Sequence, residues 1–152
     1  MRTCLLVLLV AACTETEPPG PNDPVSYRRH IQPIWDEWCV SCHSPASDRR
    51  LNTQLHAGAS YASLMVGVGD SLCFRDEVIY GEPTISAVHL VEPYDPLASG
   101  LVLITGGLVT IEEAGIGCLA SIMPRETAGL RSVSPAQWEL VRRWVSEGAR
   151  DN

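Results

Sequence analysis

The fold and the chemistry of this chain centre on the stretch Trp38-Cys39-Val40-Ser41-Cys42-His43. Two thiols separated by two residues, with a histidine directly after the second thiol, form the C-x-x-C-H signature of covalent haem attachment. Each thiol can add to one haem vinyl group, and the histidine is then held beneath the iron as an axial ligand. The stretch therefore predicts one covalent haem c on Cys39 and Cys42, with His43 on the iron.

The sequence leaves three other interpretations of this cysteine pair open: a thioredoxin-like redox pair, half of a zinc site, or a structural disulfide. Zinc needs a second ligand pair at similar spacing, which the sequence lacks. A thioredoxin motif follows a strand and opens a helix, whereas the residues before Cys39 have a helical pattern. Covalent haem remains the favoured interpretation.

The sixth iron ligand has to come from elsewhere in the chain, and we expect Met123. It precedes Pro124 in a loop ahead of the last predicted helix, where the proline stiffens the backbone and offers no competing N–H. Met65 ends a short helical pattern, where a methionine usually fills core space. The remaining candidates are His30, His56 and His89, and any of them would lower the reduction potential relative to methionine ligation.

The start of the chain has the layout of an export signal. Arg2 precedes the apolar run Leu5–Val10, which is too short to span a bilayer. The following residues, Val10-Ala11-Ala12-Cys13, resemble the lipobox of bacterial lipoproteins, which implies removal of residues 1–12 and lipid on Cys13. The alternative is a plain signal peptide cut near Ala12.

Residues 13–24 are rich in proline and polar residues and predict a disordered tether, so the folded domain is expected at 25–150. Thr14 follows Cys13, which by the lipoprotein rule implies an outer-membrane protein on the periplasmic side. The formal charge of -7 and the absence of lysine oppose binding to nucleic acid. The expected partners are the membrane, through a lipid anchor, and redox proteins with a basic or neutral docking patch.

Helical patterns lie at both ends of the predicted domain. Apolar side chains recur at Tyr27, Ile31, Ile34 and Trp38, and Pro33 splits this pattern into a first turn and a main segment beginning at Pro33. Near the other end, Ser134-Pro135-Ala136-Gln137 predicts an N-cap, a first-position proline and a capping-box glutamine. Gly148 ends this last helix, and a further helix is expected from Asp95 or Pro96 to about Thr105.

With these pieces, the chain resembles class I (cytochrome c-like) monohaem domains, specifically bacterial lipoprotein and planctomycete-type cytochromes. The resemblance covers nearly all of residues 25–150, and its matching pieces are Ile31-Gln32-Pro33-Ile34, Cys39 to His43, Leu51 with Ala57 to Val68, Glu92 to Leu101, and Ile122 to Gly148. It implies a mainly α fold in which the first and last helices pack around the haem, with Trp35 or Trp38 against Trp144.

The chain departs from that family in its middle part. The family's P-G-D-P is Pro93-Tyr94-Asp95-Pro96 here, and Arg125 replaces a second proline after Pro124. The long stretch between His43 and Met123 predicts an insertion, with a small β-hairpin between Arg75 and Val91. Two more cysteines, Cys73 and Cys118, lie at the ends of this insertion, and in an oxidising compartment a disulfide between them is expected.

Taken together, these expectations describe a lipid-anchored protein that carries single electrons. It is not expected to be an enzyme, because His43 and Met123 would occupy both axial positions of the haem iron. The alternative is a haem enzyme or ligand sensor with an open or labile sixth position, in which Arg125 or Glu126 would serve in acid–base chemistry. A lipoprotein without haem, whose cysteines are structural, is the third possibility.

Overall fold

The computed structural model describes residues 17–49, 51–66, 73–79, 82–106, 110–111, 116–118 and 133–152. The α-helices in these ranges are α1 (Gln32–Trp38), α2 (Ser60–Val66), α3 (Gly100–Thr105) and α4 (Pro135–Ser146). The β-strands are β1 (Cys73–Ile79), β2 (Glu82–Ala87), β3 (Thr110–Ile111) and β4 (Ile116–Cys118). A π-helical turn, Tyr27–Ile31, precedes α1, and a 3-10 turn, Pro96–Ala98, precedes α3. Within the described ranges, no helix is long and apolar enough to cross a membrane.

The first helical region changes from π-helical to α-helical close to where the sequence predicted a split. Ile31 and Gln32 both have right-handed helical backbone angles, so the π-helical turn continues into α1, which begins at Gln32, one residue before the predicted start at Pro33. Pro33 is then the second residue of α1, where a backbone N–H would have no partner within the helix. At the start of the π-helical turn, the Ser26 N–H donates to His30 Nδ1 at 2.9 Å.

The hydrophobic core joins the π-helical turn, α1, α2, α3 and α4. Trp35 and Trp144 are both fully buried in it. Among the ring pairs of the described residues, Trp144 contacts Tyr27 and Tyr61, with centroid distances of 5.1 and 6.5 Å, and no pair with Trp35 or Trp38 is found. Packing of the first helical region against the last is nevertheless observed.

The last helix follows its sequence signals closely. The Gln137 N–H donates to Ser134 Oγ and the Ser134 N–H donates to Gln137 Oε1, which together form the predicted capping box. Gly148 lies just past α4 with φ +98°, and a Cβ there would lie 2.6 Å from the Tyr94 ring. The Trp138 indole N–H donates to the Val102 carbonyl at 2.9 Å and ties α4 to α3.

Within the predicted tether, the residues next to the domain are bonded to α4. Arg143 donates to the carbonyl oxygens of Gly20 and Asp23. Its Nε donates to Glu147, whose other carboxylate oxygen accepts the Val25 N–H at 2.7 Å. Residues 20–25 thus follow the surface of α4, while the division of the chain into signal, tether and domain stays a prediction.

The strands form one antiparallel sheet in the order β2-β1-β4-β3. Its β1–β2 hairpin is the hairpin predicted between residues 75 and 91. The sequence did not indicate β3 and β4. The helix predicted from residue 95 or 96 is split at Ser99, an extended residue (ψ 112°) whose hydroxyl donates to the Asp95 carbonyl at 2.9 Å. The described helices agree with a mainly α fold, while the cytochrome c fold itself and the insertion remain proposals.

Candidate haem-attachment site

The cysteine motif continues directly from the end of α1. Cys39 is the C-cap of this helix, and its N–H donates to the Trp35 carbonyl at 2.8 Å. The chain keeps turning after it, because the N–H groups of Cys42 and His43 both donate to the Cys39 carbonyl, at 3.0 and 2.8 Å. A turn closed in this way gathers both thiols and the imidazole on one short, hydrogen-bonded segment. This compactness is what attachment to a single porphyrin requires.

The ring of His43 is oriented by a backbone carbonyl. Its Nδ1 lies 2.9 Å from the Thr53 oxygen, which can only accept, so Nδ1 carries the proton and donates it. The other ring nitrogen, Nε2, is then the unprotonated one, as a metal ligand must be. A histidine that ligates a metal almost always donates its second N–H to a carbonyl or carboxylate in this manner. His43 therefore has the tautomer that iron ligation needs.

The two thiols of the motif are unbridged and half-buried. Burial, and to a smaller extent the nearby Cys42, raises the pKa of the Cys39 thiol to about 12. A thioredoxin-like nucleophile needs the opposite shift, and it has that shift because it lies at a helix N-terminus. Cys39 instead lies at the C-terminus of α1. The structure thus disfavours the interpretation of this pair as a redox dithiol.

This raised pKa gives a direct prediction for the haem-free protein. The thiolate is the species that iodoacetamide attacks, so Cys39 of the folded chain should alkylate slowly at pH 8. Its rate should increase about tenfold per pH unit and level off only near pH 12, since the thiolate fraction follows the pKa. Peptide mapping by mass spectrometry measures the rate, and the same chain in guanidinium is the control. Equal rates in the folded and unfolded chain would contradict the prediction.

The residues around the motif fit a bound haem. The indole N–H of Trp38 is buried and has no hydrogen-bond partner among the described residues, and the same holds for Gln54 Oε1 and His56 Nδ1. Buried polar atoms of this kind are normally paired. Two atoms of the core, Tyr27 Oη and Trp35 Nε1, are likewise buried without a partner among the described residues, so the unpartnered atoms are not confined to the motif. A haem propionate is an acceptor that would suit the Trp38 donor, which adjoins the motif.

Of the candidates for the sixth ligand, the described residues include all but Met123. Met65 packs against the hydrophobic core, as expected of a core methionine. His30 accepts a backbone hydrogen bond from Ser26, and its pKa is lowered by burial and by Arg29 and Arg143, which indicates a neutral capping side chain. His89 is exposed.

Met123, the predicted ligand, lies outside the described residues, as do Arg125, Glu126 and Cys13. The zinc interpretation finds no support in the part of the chain that the structure describes, where no cluster of three or more His, Cys, Asp or Glu could hold a metal ion. The whole ligand set, His43 included, stays a prediction.

The backbone brings the remaining two cysteines opposite each other. Cys73 is the first residue of β1 and Cys118 the last of β4, and they are direct partners in the antiparallel ladder. Directly opposite residues in such a ladder have Cα atoms about 4.5 to 5.5 Å apart, which is within the range that a disulfide spans. The positions therefore permit the expected bridge.

Sequence reasoning missed the residues that hold His43 in place. Thr53 offers its backbone carbonyl, which carries no sequence signal because any residue has one. Leu55 donates its N–H to the His43 carbonyl at 2.8 Å, and its own carbonyl accepts from Gln32 at 3.0 Å. Gln32 is 9% exposed, and a buried glutamine in the first turn of an otherwise amphipathic helix is the one feature that could have indicated such a role.

Comparison with known proteins identifies no family for this chain. No protein-family model and no curated protein matches the chain. Among solved structures it is similar to Kuenenia stuttgartiensis hydrazine synthase, with a TM-score of 0.41 and 19% identity over 84% of this chain. The chain spans 16% of the length of that synthase chain. At this TM-score the similarity assigns neither a fold nor an activity.

The expectation that the chain is not an enzyme is corrected. The similar solved structure carries the name of an enzyme, a synthase, although at its TM-score of 0.41 it assigns no activity to this chain. The exclusion also lacked a physical basis in the site, because it required Met123 to saturate the iron, and Met123 is not among the described residues. Catalysis is therefore no longer excluded for this chain.

Proposed function

We propose that this chain is an exported haem c protein that transfers single electrons through one haem, bound to Cys39 and Cys42 and ligated by His43 and Met123. The observation that carries the proposal is the hydrogen bond from His43 Nδ1 to the Thr53 carbonyl, at the end of a turn that also holds both thiols. The haem, when bound, supplies an iron that gains or loses one electron.

The residues of the chain supply attachment, orientation and shielding. The two thiols would fix the porphyrin to the end of α1, where the core-packed Trp38 adjoins them. The Thr53 carbonyl, by accepting from His43 Nδ1, would strengthen the imidazole as an iron ligand and favour the oxidised iron, whereas a thioether from Met123 would favour the reduced iron. This opposition is how the chain would set its reduction potential.

The same proposal includes a class I cytochrome c architecture with an insertion, lipid on Cys13 and an outer-membrane location facing the periplasm. A disulfide between Cys73 and Cys118 is part of the proposal, and their opposite positions in the sheet would permit it. The partner in electron transfer is a protein with a basic or neutral patch, since the chain carries a charge of -7 and no lysine.

The test is an optical spectrum of the protein exported from a host that attaches haem to C-x-x-C-H sequences. We expect a low-spin, six-coordinate spectrum with a methionine-to-ferric-iron band that is lost in Met123→Ala and kept in the control Met65→Ala. An intact mass counts the haem, and alkylation before and after reduction detects the disulfide. A high-spin spectrum with fast carbon monoxide binding would overturn the electron-transfer proposal.

A further inference from the structure

The segment Thr53-Gln54-Leu55, called the strap below, connects the haem ligand to the rest of the protein. It lies in an irregular part of the chain, and its two outer residues are buried. At one end the Thr53 carbonyl accepts from His43 Nδ1, and at the other the Leu55 N–H donates to the His43 carbonyl. The position of the strap thus decides how strongly His43 Nδ1 can donate.

Gln32, on α1, holds the strap from the other side. Its Nε2 donates one proton to the Leu55 carbonyl at 3.0 Å and the other to Asp36 Oδ1 at 2.8 Å. Its Oε1 accepts from the Ser60 hydroxyl of α2. The direction of the amide is fixed by its partners, because a carbonyl and a carboxylate both require the NH2 group. One buried side chain therefore bonds α1, the strap and α2 together with every polar atom satisfied.

From this arrangement we infer that Gln32 is a positioning residue for the haem iron, acting through the strap and His43. The inference rests on the proposed function and extends it to a residue whose side-chain hydrogen bonds go to Asp36, Leu55 and Ser60 rather than to the motif. If Gln32 cannot donate, the Leu55 carbonyl is left buried without its partner and the strap has to shift toward water. The His43 hydrogen bond to Thr53 then lengthens, and a bound oxidised iron would lose the stabilisation that this bond supplies through the ligand.

The variant that tests the inference is Gln32→Met, which keeps the length of the side chain and removes its hydrogen bonds. In the haem-loaded protein we expect the His43 Nδ1 proton to exchange with solvent at least about tenfold faster, by proton NMR, and the reduction potential to rise. Ser60→Ala removes only the bond to Gln32 Oε1, so it should change both quantities in the same direction by less. If Gln32→Met does not fold, Ser60→Ala still tests the inference.

The matched control is Ser99→Ala. Ser99 is fully buried, and its hydroxyl bonds the backbone of Glu92 and Asp95 rather than the strap. The Ser99→Ala variant should have a lower thermal midpoint, while the exchange rate of the His43 Nδ1 proton and the reduction potential stay unchanged. If Gln32→Met lowers only the thermal midpoint, as the control does, Gln32 is merely structural and the inference is wrong.

A wild-type protein without haem would overturn the proposed function and still leave the inference open to test. In the haem-free chain, nitrogen NMR of the His43 ring reports which nitrogen carries the proton. We expect the Nδ1–H tautomer in the wild type and a mixture of tautomers in Gln32→Met. The same single tautomer in both proteins would overturn the positioning role.

Discussion

Replacing Cys39 and Cys42 together by serine should abolish covalent haem completely. A serine hydroxyl is far too poor a nucleophile to replace the thiol in addition to a vinyl group, so no thioether can form at either position. After precipitation in acidified acetone, which extracts free haem, the wild-type protein should keep its haem absorbance. The double variant should lose essentially all of it, because no covalent bond to the cofactor remains.

The chain contains a matched control for this prediction. Cys73→Ser/Cys118→Ser also removes two thiols, but from the sheet, and should keep the covalent haem. Each single variant at Cys39 or Cys42 should keep one thioether, and its absorption should move to longer wavelength because one vinyl group stays conjugated with the porphyrin. Haem that resists extraction in the Cys39/Cys42 double variant would contradict the assignment of the motif.

The sequence predicted the elements that depend on local signals. The capping box of α4 involves Ser134 and Gln137, three residues apart, and it forms as written because each side chain bonds the backbone of the other. Pro33 marks the change from the π-helical turn to α1 to within one residue. The π-helical turn was not predicted, since nothing in its composition differs from an α-helical turn, and the ring contact of Trp144 with Tyr27 depends on the fold rather than on a local signal.

In the candidate site, too, the residues with a local sequence signal were predicted and those brought together by the fold were not. The motif from Cys39 to His43 is recognisable because thioether chemistry demands those side chains at that spacing. The groups that orient His43 are a backbone carbonyl and a buried amide, Thr53 and Gln32, and they come together only through the fold. The pairing of β1 with β4, which places Cys73 opposite Cys118, likewise depends on contacts between distant segments.

Replacing Trp144 by alanine should cause the largest loss of stability of any single change considered for this protein. Its side chain is 1% exposed, packs against the rings of Tyr27 and Tyr61, and donates its indole N–H to the Arg150 carbonyl at 3.0 Å. Truncation of a buried tryptophan costs about 3 to 5 kcal/mol, since it removes the transfer free energy and leaves a cavity. For a domain of this size the thermal midpoint should fall by about 10 to 20 °C, measured by far-ultraviolet circular dichroism.

Two tryptophan variants test how much of this loss comes from the buried ring. Trp144→Phe keeps a six-membered ring against Tyr27 but loses the indole donor and part of the buried volume, so it should destabilise the protein less than Trp144→Ala. Trp138→Ala removes a half-buried ring and its bond to Val102, and should cost less than Trp144→Ala because less apolar surface returns to water. A smaller loss in Trp144→Ala than in Trp138→Ala would mean that Trp144 does not anchor the core.

The Trp144→Ala protein should nevertheless keep the wild-type optical spectrum at low temperature. Trp144 joins α4 to the π-helical turn and α2, whereas His43 is held by the strap and by Gln32. The free energy of unfolding and the geometry of the iron ligand thus depend on different side chains. We therefore expect a variant that is much less stable but has the wild-type optical spectrum. A change in iron ligation at temperatures where the fold is intact would instead show that the core and the site are coupled.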